Sequence, residues 1–97
     1  MSSRILWSDR AKNDFRNILI YLTETWSSKE VLKFVDKIER DILLLISNPE
    51  IGIVSKKKSI RKLVISKQTS LYYKIIRGDI YIITLFDNRQ SPEKLKL

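Results

Sequence analysis

Apolar residues recur along the first half of the chain at helical spacing, and along the second half in short continuous runs. Ile5-Leu6-Trp7 is a brief apolar stretch that reads as a first strand. Ser8 follows as a helix N-cap, its hydroxyl placed to accept from the free amides of a first turn. Ala11, Phe15, Ile18, Leu22 and Trp26 then repeat every three or four residues, which predicts one stripe of an amphipathic helix. Ser27-Ser28-Lys29-Glu30 has the form of a capping box and predicts a second helix start. Val31, Val35, Ile38, Ile42 and Leu45 continue that helix, with Leu32, Phe34, Leu43 and Ile46 widening its stripe. Asn48-Pro49 ends it, because proline disfavours helical backbone in the residue before it. With almost no chain between them, the two helices are expected to form an antiparallel hairpin.

From Ile51 the pattern changes. Gly52 and Lys56-Lys57-Lys58 form a basic connector, and three β-rich runs follow at Ile60 to Ile65, Leu71 to Ile76 and Ile80 to Phe86. Lys67-Gln68-Thr69 joins the first two runs. Gly78-Asp79 is a two-residue hairpin signal between the second and third, glycine supplying the positive φ. The predicted fold is therefore α+β in the order β-α-α-β-β-β, an N-terminal helix hairpin packed on one face of a small antiparallel sheet. The other face, carrying Tyr72 and Lys74 or their alternates, is expected to stay open.

Ninety-seven residues suffice for one modest core, so residues 1–97 are expected to form a single domain. No apolar run approaches the ~20 residues that cross a bilayer. Met1-Ser2-Ser3-Arg4 does not start a secretory signal, and the chain has no cysteine, which fits a reducing interior. A cytoplasmic protein with no membrane partner is expected. The absence of histidine removes the usual zinc sites, the Ser-His and Cys-His nucleophile pairs and the ordinary general base near neutral pH. No metal site or cofactor is expected, and any catalysis would rest on Lys, Arg, Asp, Glu or Tyr.

The net charge of +8 is one-sided. Residues 1–50 hold eight basic and eight acidic side chains, whereas residues 51–97 hold eleven basic and three acidic, which is the whole excess. Such a face suits an acidic partner, either nucleic acid or an acidic protein segment. On a curled sheet, Arg61, Lys67 and Arg89 could converge with Tyr72 or Tyr73 around one concavity, with Lys56, Lys57, Lys58, Lys62, Lys74 and Arg77 adding to the field. A set of that kind grips phosphates, stacks bases and stabilises charge developing in phosphodiester cleavage. Asp79 is accounted for by its turn, and Asp87 by a strand end where it can cap its own loop. Trp7 and Trp26 bracket the first helix and are expected to pack where helix meets sheet.

Two stretches carry a resemblance. "LWSDRAKNDFRNILIYL" is similar to the opening of RelE/ParE-superfamily toxins, with an aromatic, Ala11, an acidic residue, Ile18 and Tyr21 on the first helix. "IRKLVISKQTSLYYKIIRGDIYIITLFDNRQSPEKL" resembles the second half of that family: an arginine entering the first long strand, a tyrosine in the second, and a last strand ending in an arginine-containing polar turn before a proline. The resemblance implies the toxin of a bacterial type II toxin–antitoxin system, of the plasmid-stabilisation kind, wrapped by an acidic or amphipathic segment of a cognate antitoxin. Operator DNA would be bound only by the toxin–antitoxin complex. In the RNA-cleaving branch, the end of the last strand presents catalytic groups, which is where Arg89 falls. That branch also carries an arginine three residues before the strand tyrosine, where this chain has Ser70, and a tyrosine or histidine in the C-terminal segment, where Leu95 and its neighbours stand. The resemblance therefore leans to the ParE-like branch, which binds DNA gyrase. The alternative is a RelE-like endonuclease cutting mRNA on the ribosome with Arg61, Arg89 and lysines from Lys56–Lys58. A third possibility is a member that retains only antitoxin binding.

Overall fold

The computed structural model describes residues 4–55 and 59–97. In chain order the elements are β1 (Ile5–Trp7), α1 (Asp9–Thr25), α2 (Ser28–Ser47), β2 (Ile53–Val54), β3 (Ile60–Val64), β4 (Thr69–Ile76) and β5 (Asp79–Asp87), then a 3-10 turn at Pro92–Lys94. The strands form one sheet in the order β1-β5-β4-β3-β2. The α+β reading and the order of its main elements hold, with two corrections. β1 runs parallel to β5, Ile5 facing Ile80 and Trp7 facing Ile82, so the sheet is mixed rather than antiparallel. A two-residue strand, β2, also pairs with β3 at the sheet edge, too short to leave a periodicity in the sequence.

Both predicted serine caps form, although the Glu30 carboxylate, expected to complete the capping box, pairs with Lys33 at 3.8 Å instead. The Ser8 hydroxyl accepts from the Ala11 amide at 2.9 Å, and the Ser27 hydroxyl accepts from the Glu30 amide at 3.3 Å. α1 lies against β5 through Ala11, Phe15 and Ile18, while α2 packs beside it and contributes Ile38 and Leu45 to the core. Trp7, Phe15 and Phe34 make an aromatic chain from β1 through α1 to α2, with centroids 5.7 and 6.4 Å apart. Trp26 does not join it. The helix ends at Thr25, Trp26 takes extended backbone, and the indole leaves the apolar stripe, 51% exposed. Leu32 and Leu43, placed by their spacing at the margins of the α2 stripe, point outward at 64% exposure each.

The hairpin between β4 and β5 is closed by Arg77-Gly78 rather than Gly78-Asp79. Both loop residues have positive φ, 51° and 83°, the pattern of a type I′ turn, and Asp79 already pairs with Ile76 as the first residue of β5. Asp79 also fastens the start of β1 to β5, since its carboxylate receives the Arg4 guanidinium at 2.7 Å and the Arg4 amide at 3.2 Å.

One irregularity in β5 decides what the far end of the sheet presents. Along β4, Leu71, Tyr73 and Ile75 face the helices, opposite Leu85, Ile82 and Ile80. Tyr72 faces Thr84 and Tyr73 faces Ile82, so Ile83 is an extra residue and β5 contains a bulge. Ile80 and Ile82 face the helices before the bulge, and Leu85 after it. Leu85 and Asp87 are thereby turned to the helix side, and Phe86 joins Tyr72 on the opposite face. That face is partly covered: Leu95 and Leu97 lie beside Tyr72, Ile53 and Val54, and the Arg10 guanidinium donates to the Lys96 carbonyl.

Candidate functional site

Past the bulge, the end of β5 and the helix hairpin diverge and leave a cleft of about 480 Å³. Its floor is apolar, from Ile18, Leu22, Phe34 and Leu85. Tyr21, Trp26, Ser66, Gln68, Arg89 and Gln90 are exposed around its rim. An apolar floor with a polar rim is the ordinary architecture of a binding site. Its cations are all partnered: Lys33 with Glu30 at 3.8 Å, Lys37 with Asp41 at 2.6 Å, and Arg89 with Asp87 at 2.7 Å.

Arg89 is held in place by local chemistry. Asp87 ends β5 and caps its own turn, Oδ1 accepting from the Arg89 amide at 2.9 Å. The same carboxylate receives the Arg89 side chain, Nε at 3.0 Å and Nη2 at 2.7 Å, and the guanidinium sits 5.5 Å above the Tyr21 ring. The hydrogen bond to Asp87, then one to Tyr21, raises the pKa of Arg89, and the bond from Arg89 holds the Asp87 carboxyl below its ordinary range. A depressed carboxyl contributes stability above its unfolded-state pKa and loses it as pH falls through the lower folded value. The urea midpoint of the wild type should therefore exceed that of Asp87→Asn by a constant margin from about pH 8 to 5, and the margin should close below about pH 4. A margin that grows on acidification would contradict this pairing.

The turn after β5 is tied to the β3–β4 turn. The Asn88 amide donates to the Gln68 carbonyl at 2.6 Å, the Asn88 side-chain amide to the Lys67 carbonyl at 3.4 Å, and the Ser70 hydroxyl to Asn88 Oδ1 at 3.0 Å. Ser70 is fully buried, so the position where a nuclease of the resembling branch has arginine serves here as an internal tie.

Arg61 and Tyr73 lie elsewhere. They face each other across β3 and β4. Arg61 Nη1 donates to the carbonyls of Glu50 and Gly52 at 3.1 and 2.9 Å. Tyr73 is fully buried, its hydroxyl donating to the Pro49 carbonyl at 2.7 Å and accepting from the Gly52 amide at 2.9 Å. Burial pushes the Tyr73 phenol up. The pair clamps the connector from α2 to β2. Tyr73→Phe should cost about 1–3 kcal/mol in urea denaturation, because an amide and a carbonyl lose their partner in a buried place.

The expected concavity is thus divided. Arg89, with the Lys67 backbone beside it, is at one end of β4, near the Thr69–Asp87 pair. Arg61 and Tyr73 are four residues along the strand, about 13 Å away. Lys67 is exposed on its turn and Lys62 flanks Tyr72 on the opposite face, while Lys56, Lys57 and Lys58 lie outside the described residues. The cleft also brings together Tyr21, Trp26 and Asp14, which the sequence pattern does not mark as site residues. The available signal is an indole directly before a helix-capping serine, where a stripe cannot continue. Among the described residues no group of acidic side chains could hold a metal ion, and no helix is long and apolar enough to cross a membrane.

Comparison with known proteins places this architecture. No curated protein matches the sequence. Among solved structures, the chromosomal ParDE toxin–antitoxin system from P. aeruginosa aligns with a TM-score of 0.74 at 19% identity, covering 88% of this chain and 95% of that one. The YoeB/ParE toxin from Agrobacterium tumefaciens aligns at 0.66 and 13% identity, over 88% of this chain and 98% of its own. The toxin–antitoxin complex DinJ-YafQ from E. coli aligns at 0.62 and 13%, over 92% of this chain and 96% of the other. At these identities the likeness is one of fold. The model of the ParE toxin of type II toxin–antitoxin systems, parDE, matches residues 5–92, nearly the whole of the fold described above. The chain belongs to the ParE toxin family.

Proposed function

We propose that this ParE-family chain arrests growth by binding a protein target in the bacterial cytoplasm, DNA gyrase, and that a cognate antitoxin neutralises it by laying an amphipathic segment in the cleft. One observation carries the choice of binding over cleavage: among the described residues, the arginines and the strand tyrosine that could stabilise a phosphodiester transition state are committed to structure. Arg61 and Tyr73 hold the connector, Ser70 is buried, and Arg89 is neutralised by Asp87. Each missing transition-state contact costs about a hundredfold or more in rate. The apolar floor and the exposed Tyr21 and Trp26 supply what an amphipathic helix or strand needs. Operator DNA would be engaged by the toxin–antitoxin complex rather than by the toxin alone.

The second reading is ribosome-dependent mRNA cleavage, favoured by one fact: the Arg89 side chain is half exposed and could exchange Asp87 for phosphate. The test adds the purified chain to a reconstituted bacterial translation reaction and maps reporter-mRNA ends by primer extension. The expected result is uncut message, followed by accumulation of gyrase cleavage complexes on supercoiled plasmid. Cuts that appear only with translating ribosomes would make the chain an mRNA endonuclease and end the binding reading.

A further inference from the structure

The bulge at Ile83 determines which way the end of β5 faces, yet a bulge leaves ladder groups without strand partners. Here the chain entering α1 and α1 itself supply partners around it, the first of them continuing the β1–β5 pairing. The Ser8 amide donates to the Ile82 carbonyl at 3.0 Å, and the Ser8 hydroxyl, already the helix cap, donates to the Ile83 carbonyl at 2.7 Å. One turn and a half further along the helix, Asp14 Oδ2 accepts both the Thr84 hydroxyl and the Leu85 amide, the latter at 3.2 Å. Thr84 is buried, so its hydroxyl needs this acceptor. Two side chains, the helix cap and a residue of the helix itself, thus bracket the extra residue on both sides.

Without the bulge, simple alternation from Ile80 and Ile82 would send Phe86 toward the helices. Leu85 and Asp87 would then face the opposite side. Arg89, bonded to Asp87 through side chain and backbone, would leave the cleft with it.

We propose that Asp14 is a positioning residue for the cleft: by holding Thr84 and Leu85 it fixes the bulge, and through the bulge it sets Asp87 and Arg89 against Tyr21. The functional half of this inference takes the cleft, proposed above as the antitoxin's seat, to be the surface that meets the target as well. The positional half does not.

The experiment compares isotope-labelled wild type, Asp14→Ala, Asp14→Asn and Thr84→Val by NMR, alongside growth of a bacterial host under graded induction of each. In Asp14→Ala, the Leu85 amide should exchange about tenfold faster or more, and the Arg89 Nε–H resonance should lose the ring-current shift of Tyr21 as the guanidinium leaves that ring. Amides of Leu71 and Tyr73 in β4 should keep their protection. Asp14→Asn should restore both signals, since its Oδ1 still accepts from Leu85 and its amide can donate to Thr84. If Asp14→Ala does not fold, Thr84→Val, which removes one donor and keeps the other, should show the same shifts at smaller amplitude. A folded Asp14→Ala with Leu85 and Arg89 unmoved overturns the proposal. So does a Thr84→Val protein with both signals unmoved. Growth arrest should need about tenfold more inducer for Asp14→Ala than for Asp14→Asn, the loss of one well-placed contact. Undiminished arrest by Arg89→Ala would overturn the functional half through the cleft itself, and the NMR shifts would still decide the positional half.

Discussion

Gly52→Ala should destabilise the fold by about 3 kcal/mol and lower the melting temperature by about 15 °C. A Cβ at this position would stand 2.6 Å from the Tyr73 hydroxyl, 2.7 Å from its ring and 3.0 Å from the Lys62 carbonyl. None of these can withdraw cheaply. Tyr73 is fully buried with Leu71 and Ile82 in the central cluster, and the Lys62 carbonyl belongs to β3. Moving the ring would also break its bonds to Pro49 and Gly52, leaving a buried carbonyl and amide unsatisfied. Urea denaturation of the purified chain measures the effect. Wild-type stability in the alanine variant would mean that the α2–β2 connector is free to move away from β4. Gly52 is therefore required for close approach, whereas Gly78 has open space around it and is required for its positive φ.

Trp26→Ala should have the opposite profile. The indole is half exposed and outside the core, so stability should change by no more than about 0.5 kcal/mol. Binding of the antitoxin should weaken by about 2 kcal/mol, roughly thirtyfold, because a large aromatic at the edge of an apolar groove is the kind of anchor that dominates interface energetics. Calorimetric titration with the purified cognate antitoxin reads the affinity, and urea denaturation of the same variant reads the stability. Unchanged affinity would remove the cleft as the antitoxin's seat. The two substitutions together separate the scaffold from the surface it presents: one ruins the fold through a buried contact, and the other spares the fold and weakens the partner.

The two helices are legible in the sequence because their caps and stripes agree: Ser8 and Ser27 each stand just ahead of the periodic residues they introduce. The long strands are legible from β-rich runs bounded by turn residues. β1's parallel pairing is not, because three apolar residues carry no information about which strand they will join, and the partner lies 75 residues away. The functional surface is the hardest to read. Arg89 stands out in its polar turn, but its cleft depends on Ile83 being an unpaired residue, and nothing in "IYIITLFD" distinguishes a bulge from regular alternation. Arg61 and Tyr73 are residue types suited to chemistry, yet they are drawn into structure by backbone carbonyls and an amide of the connector, partners that no side-chain pattern reveals. The spacing of Trp26 continues the α1 stripe and points to the core, and the helix stops one residue too soon for that.

The position of β5 in the sheet also bears on the order in which the protein is made. It lies between β1 and β4, so the earliest strand has no neighbour until the last one exists. Chains leave the ribosome N-terminus first. The helix hairpin is therefore complete while Phe15 and Ile18 still lack the strand they pack on, and the cleft has only its helical wall until Asp87 and Arg89 emerge. A nascent or prematurely terminated chain lacking those residues has neither the closed sheet nor the cleft. The cleft thus forms only once the last strand of this domain has been translated, a built-in delay that follows from strand order alone.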